Sequence, residues 1–255
     1  MRIVIKIGTS TLAHQTGNLN IRRVEQLCKV LSDLKNYGHE LVLVSSGAIG
    51  MGVGKLGLRE RPSDMPSKQA AAAIGQCELM YTYDKLFSEY HHNVAQILLT
   101  GSDIQDAQRR ENFHNTVFRL LELGAIPIIN ENDSIATEEI VIGDNDTLAA
   151  IVAESVKADL LILLSDIDGL YTADPKKDPG AALIHTVTEI TPEILALAGG
   201  SVSGLGTGGM TTKLHAARTV NASGIDMVIA NGSDPDILYS IVAGDNIGTR
   251  FVGRH

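Results

Sequence analysis

The chain has 255 residues, of which 44% are hydrophobic, and a formal net charge of −9 at pH 7. A chain of this length can bury a large core, either as one domain or as two tightly joined lobes. The acidic balance argues against a general nucleic-acid or membrane-surface binder, because both functions need basic faces.

Strands and helices alternate along the chain. The predicted strands are, in order, MRIVIKI (1–7), ELVLVSSG (40–47), NVAQILLT (93–100), AIPIINEND (125–133), ADLLILLSDIDG (158–169) and IDMVIANG (225–232). The predicted helices cover 20–37, with Gly38 as a cap just beyond, 67–90, 110–123, 145–157, 209–223 and 235–242. Runs such as LVLV and LLILL are apolar on both faces, which is typical of a mostly parallel sheet covered by helices on both sides. A soft lobe boundary is expected near residues 157–159.

Several features favour a cytoplasmic location. The N-terminal MRIVIKIG is only one strand long, and no apolar run reaches the ~18 residues needed to span a bilayer. Cys28 and Cys77 lie in helix-like runs without the spacing of metal ligands, so we expect reduced thiols in or near the core.

Polar residues follow the predicted strands at their carboxyl ends, where an open parallel sheet binds its ligands. They occur in KIGTS (6–10), SSGA (45–48), END (131–133), SD (165–166), DG (168–169) and NG (231–232), and GDND (143–146) opens a helix. If the sheet is parallel, these groups converge on one cleft.

Two lysines stand beside glycine-rich turns at opposite ends of the chain. GLGTGGMTTK (204–213) runs into a helix, so its backbone N–H groups can face a phosphate, and Lys213 follows as a fixed cation. Lys6 lies near the end of an apolar strand, where a lysine is costly unless its ammonium reaches solvent or an anion. Lys6 is therefore either a phosphate contact or a snorkelling edge lysine.

The acidic residues also allow two interpretations. GDND (143–146) can be an ordinary helix N-terminus, since Asp144 or Asn145 is a good N-cap. However, this segment holds two acidic residues and is expected near Asp133, and a cap needs only one such residue. The cluster suits orienting cations, a substrate ammonium or Mg²⁺-bound water. Asp166 and Asp168 are ligand contacts or solvated turn acids.

Two generic nucleotide motifs do not fit. The chain contains no G-x-x-x-x-G-K-[ST], so it is not a Walker-A enzyme. The letters of G-x-G-x-x-G occur at Gly204, Gly206 and Gly209. A dinucleotide-binding motif of this kind follows a strand and needs an acidic residue at the end of the next strand. Here the preceding LALAGGSVS is no strand, and Asp226 begins the next strand instead of ending it.

Seven segments carry a more specific pattern: KIGTSTL (6–12), VSSGAIGMG (44–52), SKQAAAAIGQ (67–76), NEND (130–133), GDNDTLAA (143–150), LSDIDGLYTADP (164–175) and SGLGTGGMTTK (203–213). In this order, and over essentially the whole chain, they resemble the amino acid kinase family. Within the family they are most similar to the members that phosphorylate L-glutamate in proline biosynthesis.

The resemblance implies a three-layer αβα sandwich with an open, mostly parallel central sheet. It implies transfer of the ATP γ-phosphoryl group to the γ-carboxylate of L-glutamate, which yields L-glutamyl 5-phosphate and ADP, with Mg²⁺ accompanying ATP. Residues 1–157 would hold glutamate and residues 158–255 would hold ATP, within one amino acid kinase domain spanning 1–255. Homo-oligomers and feedback inhibition by proline are further expectations, whereas nucleic acid and membrane are not expected partners.

The resemblance also assigns site residues by motif. Ser46, Asp133 and Asn145 would contact glutamate. The predicted ATP contacts are Lys6, Gly8, Ser165, Asp166, Thr207, Gly208, Gly209, Met210, Thr211, Thr212 and Lys213. Lys6 and Lys213 would stabilise the transferring phosphoryl group, and Asp146 would organise the two lysines. Direct Mg²⁺ ligands are not assigned.

The chemistry fits these roles independently. The side-chain carboxyl group of glutamate has an ordinary pKa of about 4.3 and is ionised near neutral pH, so the reaction needs positioning and charge neutralisation instead of a general base.

One further domain is not expected, and two alternative functions remain. Many family members of this type carry an extra C-terminal domain, which we do not expect here because the chain ends at His255. Another acceptor on the same fold (aspartate, N-acetylglutamate, carbamate or a nucleoside monophosphate) is the first alternative. A non-catalytic amino-acid sensor is the second, although the presence of Lys6, Asp146 and Lys213 disfavours it.

Overall fold

The computed structural model describes residues 1–14, 18–135, 145–200 and 209–254. Each of the six predicted strands is present. The strands are β1 (Arg2–Ile7), β2 (Glu40–Ser45), β3 (Val94–Leu99), β4 (Ile126–Glu131), β5 (Leu160–Ser165), β6 (Leu170–Tyr171), β7 (Leu183–Ile184), β8 (Thr186–Val187), β9 (Asp226–Asn231) and β10 (Thr249–Phe251). The four that the sequence pattern did not predict are only two or three residues long, which is too short to show a period.

The six predicted helices are also present. The helices are α1 (Thr9–Leu12), α2 (Ile21–Asn36), α3 (Ala48–Leu56), α4 (Met65–Ser88), α5 (Gly101–Gln105), α6 (Ala107–Glu122), α7 (Asn145–Ser155), α8 (Pro192–Ala196), α9 (Met210–Ala222) and α10 (Ile237–Ala243), with a 3₁₀ turn at Leu197–Gly200. Gly38 follows α2 with φ +98°, as expected of a glycine beyond a helix end. Helix α3 was not predicted, because the glycines in AIGMGVGKL lower its helix propensity.

Eight strands form one sheet in the order β3-β4-β2-β1-β5-β9-β10-β8. The six long strands pair in parallel, whereas β10 runs antiparallel to β9. Strand β1 pairs with β2 on one side and with β5 on the other, so the sheet continues across the expected boundary at 157–159. The predicted open, mostly parallel sheet is confirmed.

Helices cover both faces of the sheet, and alternate residues of β1 show how. Ile3, Ile5 and Ile7 belong to the core that also contains residues of α2, α4 and α10. Val4 belongs to the opposite core, formed with residues of α6, α7 and α9. Because side chains alternate along a strand, Lys6 projects toward the same face as Val4, where α7 and α9 lie.

Helices α3 and α4 pack backbone to backbone. A Cβ added at Gly75 would lie 1.8 Å from the carbonyl oxygen of Ala48, and one added at Gly52 would lie 1.8 Å from that of Ala71. Real Cβ atoms do not approach a backbone oxygen so closely, so both positions require glycine. This contact joins α4 to the helix that follows β2, and therefore positions the turn at the end of β2.

We expect Gly75→Ala to lower the free energy of unfolding by about 2–3 kcal/mol, because the methyl group forces α3 and α4 apart. Ala73→Ser, on the exposed side of α4, should change it by less than about 0.5 kcal/mol. Denaturant unfolding of both variants measures the difference. Equal stability of the two variants would contradict the close approach.

The two cysteines differ in exposure. Cys28 is buried, as predicted, and burial raises the pKa of its thiol well above the ordinary range. Cys77 is exposed, so the prediction of a core or near-core position is wrong for this residue. It lies on the outer face of α4, beyond the buried stripe that includes Leu79 and Tyr83.

Within the part of the chain that the structure describes, no helix is both long and apolar enough to cross a bilayer.

Candidate active site

The carboxyl ends of the parallel strands lie along one edge of the sheet, and the polar residues gather there. The register pairs Lys6 in β1 with Val44 in β2 and with Leu163 in β5, and Ser165 at the end of β5 with Asn231 at the end of β9. The segments that follow β1, β2, β4, β5 and β9 therefore begin at neighbouring points of one edge. The predicted convergence is present among the described residues.

At the centre of this edge, two lysines hold one aspartate. Lys6 Nζ lies 2.7 Å from Asp146 Oδ1, and Lys213 Nζ lies 2.9 Å from Asp146 Oδ2. The side chain of Asp146 is fully buried, and the lysine side chains are 12% and 6% exposed, respectively. Two cations and one anion leave this trio with a net positive charge beside the cleft.

The fold explains why three distant residues meet. Lys6 is one residue before the end of β1, Asp146 is the second residue of α7, and Lys213 is the fourth residue of α9. Both helices pack on the Val4 face of the sheet, with their first turns toward the carboxyl edge. Each helix thus delivers one charged residue from its first turn to the side chain of Lys6.

Burial alone would raise the pKa of Asp146, but the charges of Lys6 and Lys213 and their hydrogen bonds outweigh burial and hold this pKa below the usual range of an aspartate. Asp146 is therefore a carboxylate at neutral pH. An ionised residue between the lysines keeps the two ammonium groups close together despite their mutual repulsion.

Gly8 lies beside the ammonium group of Lys6. A Cβ added at Gly8 would lie 4.0 Å from Lys6 Nζ and 3.7 Å from the carbonyl oxygen of Leu164. Gly8 precedes the short helix α1 in an extended conformation. These are ordinary van der Waals distances, and the predicted contact of Gly8 with ATP stays a prediction.

On the β2–β4 side, Asn145 joins three strand-end groups. Its Nδ2 donates to Ser46 Oγ at 2.7 Å, to the Ser45 carbonyl oxygen at 3.1 Å and to Asn130 Oδ1 at 3.1 Å. Gly47, with φ +98°, makes the sharp turn from β2 into α3 and leaves Ser46 at the edge. The structure thus brings together two of the three predicted glutamate residues, Ser46 and Asn145.

Two residues of this amide network were not singled out from the sequence. Asn130 is buried, and its Nδ2 donates to Gln76 Oε1 at 2.9 Å, while its Oδ1 also accepts from the backbone N–H of Glu131. Both residues lie within segments that carry the family resemblance. The position of Asn130 near the end of a strand could have indicated a role at the site. Nothing in the sequence spacing shows that α4 brings Gln76 into contact with it.

Asp133, the third predicted glutamate residue, lies two residues beyond β4 and is half-buried. Burial raises the pKa of its carboxyl group, and the nearby positive charge of Arg61 partly offsets the rise. A carboxylate held in a partly desolvated position gains from a cationic partner. The substrate ammonium that the sequence suggested would supply one.

The ends of β5 and β9 form the other side of the cleft. Ser165 Oγ donates to Asp166 Oδ1 at 3.2 Å, so the two predicted ATP residues are adjacent. Asp168 accepts hydrogen bonds from Asn231 Nδ2 at 2.8 Å and from Tyr171 OH at 2.9 Å. Asp168 is exposed, and these two bonds tie its carboxylate to β9 and to β6.

The remaining ATP predictions fall on the start of α9. Gly209 precedes the helix, Met210 is buried in the core, and Thr211 is exposed. Thr212 is half-buried and Lys213 is the lysine of the trio. Thr207 and Gly208 lie outside the described residues, as do Gly143 and Asp144 of the GDND segment.

A family profile described as the amino acid kinase family matches residues 1–231. The chain belongs to the amino acid kinase family. It is 52% identical over 257 residues to a glutamate 5-kinase of Clostridium perfringens, with 99% of this chain and 96% of that protein covered. It is 53% identical over 253 residues to a glutamate 5-kinase of Moorella thermoacetica, with 99% of this chain and 67% of that protein covered.

Solved structures of family members share the fold at low identity. A carbamate kinase from Giardia lamblia bound to AMP-PNP superposes with a TM-score of 0.71 at 17% identity, covering 99% of this chain and 98% of that one. A UMP kinase from Bacillus anthracis superposes with a TM-score of 0.65 at 17% identity, covering 100% and 96%. At this identity the likeness concerns the fold alone, and the three-layer αβα sandwich is confirmed.

Proposed function

We propose that this amino acid kinase transfers the γ-phosphoryl group of ATP to the γ-carboxylate of L-glutamate, which gives L-glutamyl 5-phosphate and ADP, the first step of proline biosynthesis. The observation that carries the chemistry is the buried Lys6–Asp146–Lys213 trio at the carboxyl edge of the sheet. The names of relatives at about 52% identity over nearly the whole chain support glutamate as the acceptor.

The trio suits phosphoryl transfer between two anions. A lysine ammonium has three donors, and Asp146 occupies one on each of Lys6 and Lys213. The remaining N–H groups can bind the oxygens of the γ-phosphoryl group as charge moves from the glutamate carboxylate to ADP. Because Asp146 fixes both lysines before the reactants arrive, little reorganisation is needed at the transition state.

The two reactants approach from opposite sides of the trio. Ser165, Asp166 and the start of α9 would hold ATP, with Gly8 leaving backbone open to its phosphates. Ser46 and Asn145 would hold the glutamate side chain, and Asp133 would bind its ammonium group. An ionised carboxylate needs no proton removed, so in this scheme the chain needs only to align it with the phosphorus atom.

Magnesium fits this site as an ion that arrives with ATP. Among the described residues, no cluster of three His, Cys, Asp or Glu side chains could hold a metal. Both carboxylate oxygens of Asp146 face ammonium groups, which makes it a poor ligand. Mg²⁺ usually keeps phosphate oxygens and waters as most of its ligands, and when bound it neutralises charge on the β- and γ-phosphates. Asp166 and Asp168 are the carboxylates at the ATP side that would hold its waters.

The amide network predicts a substrate-specific effect. Asn145→Asp removes the donor to Ser46, Ser45 and Asn130 and adds a negative charge where the glutamate carboxylate would bind. We expect the KM for glutamate to rise at least tenfold, while the KM for ATP changes less than about threefold. Asn115→Asp, a substitution on α6 outside the site, should change neither. Equal rises in both KM values for Asn145→Asp would contradict a glutamate contact.

The experiment that tests the function is glutamate-dependent ADP release by the purified protein with Mg-ATP. Hydroxylamine should trap the acyl phosphate as a hydroxamate. A panel of aspartate, N-acetylglutamate, carbamate and UMP separates the proposal from another acceptor on the same fold. Absence of turnover with every acceptor, together with saturable glutamate binding, would favour the sensor alternative.

We propose a homo-oligomer that uses the outer face of α4, where Ile74, Cys77 and Tyr81 are exposed. Sedimentation velocity of the natural chain and of Tyr81→Glu would test that face. Inhibition by proline is tested by adding proline to the same ADP assay. We also propose a cytoplasmic location, which the free thiols of Cys28 and Cys77 support.

A further inference from the structure

The single O–H of Thr212 faces two acceptors of the protein. Its Oγ1 lies 2.8 Å from the carbonyl oxygen of Gly209 and 3.1 Å from Asp146 Oδ2. The first is the local bond that a helical threonine often makes to the preceding turn. The second reaches across the site to α7, to a residue 66 positions away in the chain. A purely local role does not explain this second contact.

We infer that Thr212 is a positioning residue, which orients the Asp146 carboxylate between the lysines. This inference rests on the proposed function, and the ATP contact that the family resemblance implies for Thr212 stays a prediction. Thr211, which is exposed on the neighbouring position of α9, remains available to the nucleotide.

The reason lies in how a carboxylate between two lysines is held. Lys6 and Lys213 pull on different oxygens of Asp146, and rotation of the carboxylate would exchange or lengthen these contacts. The Thr212 hydroxyl approaches the same oxygen as Lys213. It therefore fixes that oxygen toward α9 and leaves the other to Lys6. A hydrogen bond to an ionised acceptor is stronger than one between neutral groups.

The one proton of Thr212 is shared between the Gly209 carbonyl and Asp146 Oδ2, so this three-centre hydrogen bond ties the N-terminal turn of α9 to α7. Losing this hydroxyl would loosen the positions of Asp146 and of the two lysines, while both ammonium groups stay in the site. The expected signature is a loss in kcat with little change in either KM, since binding of both substrates persists.

The test compares Thr212→Val, which keeps the shape and removes the hydroxyl, with Thr212→Ser, which keeps the hydroxyl. We expect Thr212→Val to lower kcat about tenfold, with the KM values for ATP and glutamate within about twofold of the natural chain. Thr212→Ser should keep at least half of kcat. Thr219→Val, at an exposed position two turns further along α9, is the control and should change none of the three constants.

Each other outcome overturns the inference in a distinct way. A rise in the KM for ATP at constant kcat would show that Thr212 binds ATP and does not position Asp146. An equal loss in Thr212→Ser and Thr212→Val would show that the hydroxyl is not what matters, and an unchanged kcat in Thr212→Val would remove the role altogether. If the natural chain itself shows no glutamate-dependent turnover, the proposed function fails, which is separate from any failure of the Thr212 role.

Discussion

The Lys213→Met protein should phosphorylate glutamate with a kcat about 10²–10³-fold below that of the natural chain, while its fold stays intact. Methionine keeps the length and the apolar stem of the buried side chain but removes the ammonium that lies 2.9 Å from Asp146 Oδ2. Loss of one preorganised donor at a transition state costs about 3–4 kcal/mol, which corresponds to this range. Steady-state kinetics with saturating Mg-ATP and glutamate measure it.

Lys29→Met, at an exposed position on α2, is the matched control and should keep full activity. Lys6→Met should resemble Lys213→Met, and the double variant should fall far short of the product of the two single losses, because both lysines act on the same transferring group. If kcat survives in both single variants, the trio is not the catalytic centre, whatever the acceptor.

Much of the fold follows from periodicity. Strands apolar on both faces, separated by helices with a buried stripe, specify a parallel sheet between two helical layers, and six strands and six helices were predicted in this way. The pattern fails where an element is too short or too rich in glycine to show a period. Helix α3 is held by contact with α4 at Gly52 and Gly75, which is tertiary information that no local pattern contains.

The candidate site, too, could be predicted from the sequence only in part. Strand ends and helix starts are visible in sequence, so Lys6, Asp146 and Lys213 could be predicted to converge from topology and from the family resemblance. Which atoms face each other depends on helix rotation. The bond between Gln76 and Asn130, and the one between Thr212 and Asp146, arise from packing of α4 and α9, which no local pattern in the sequence shows.

Replacing Asp146 by asparagine should abolish measurable turnover and destabilise the fold by about 3 kcal/mol, because it leaves two nearly buried ammonium groups without their anion.

The pKa of Asp146 is lowered in the folded chain, so its contribution to stability is complete above the ordinary aspartate value of about 3.9 and is lost as pH falls through the folded value. The difference in unfolding free energy between the natural chain and Asp146→Asn should thus be constant from about pH 5 upward and shrink only in more acidic solution. Asp84→Asn, exposed on α4, controls for a general loss of charge and should change stability by less than about 0.5 kcal/mol. A difference that instead grows on acidification would mean that Asp146 is protonated in the fold, and the ionised bridge between the lysines would have to be abandoned.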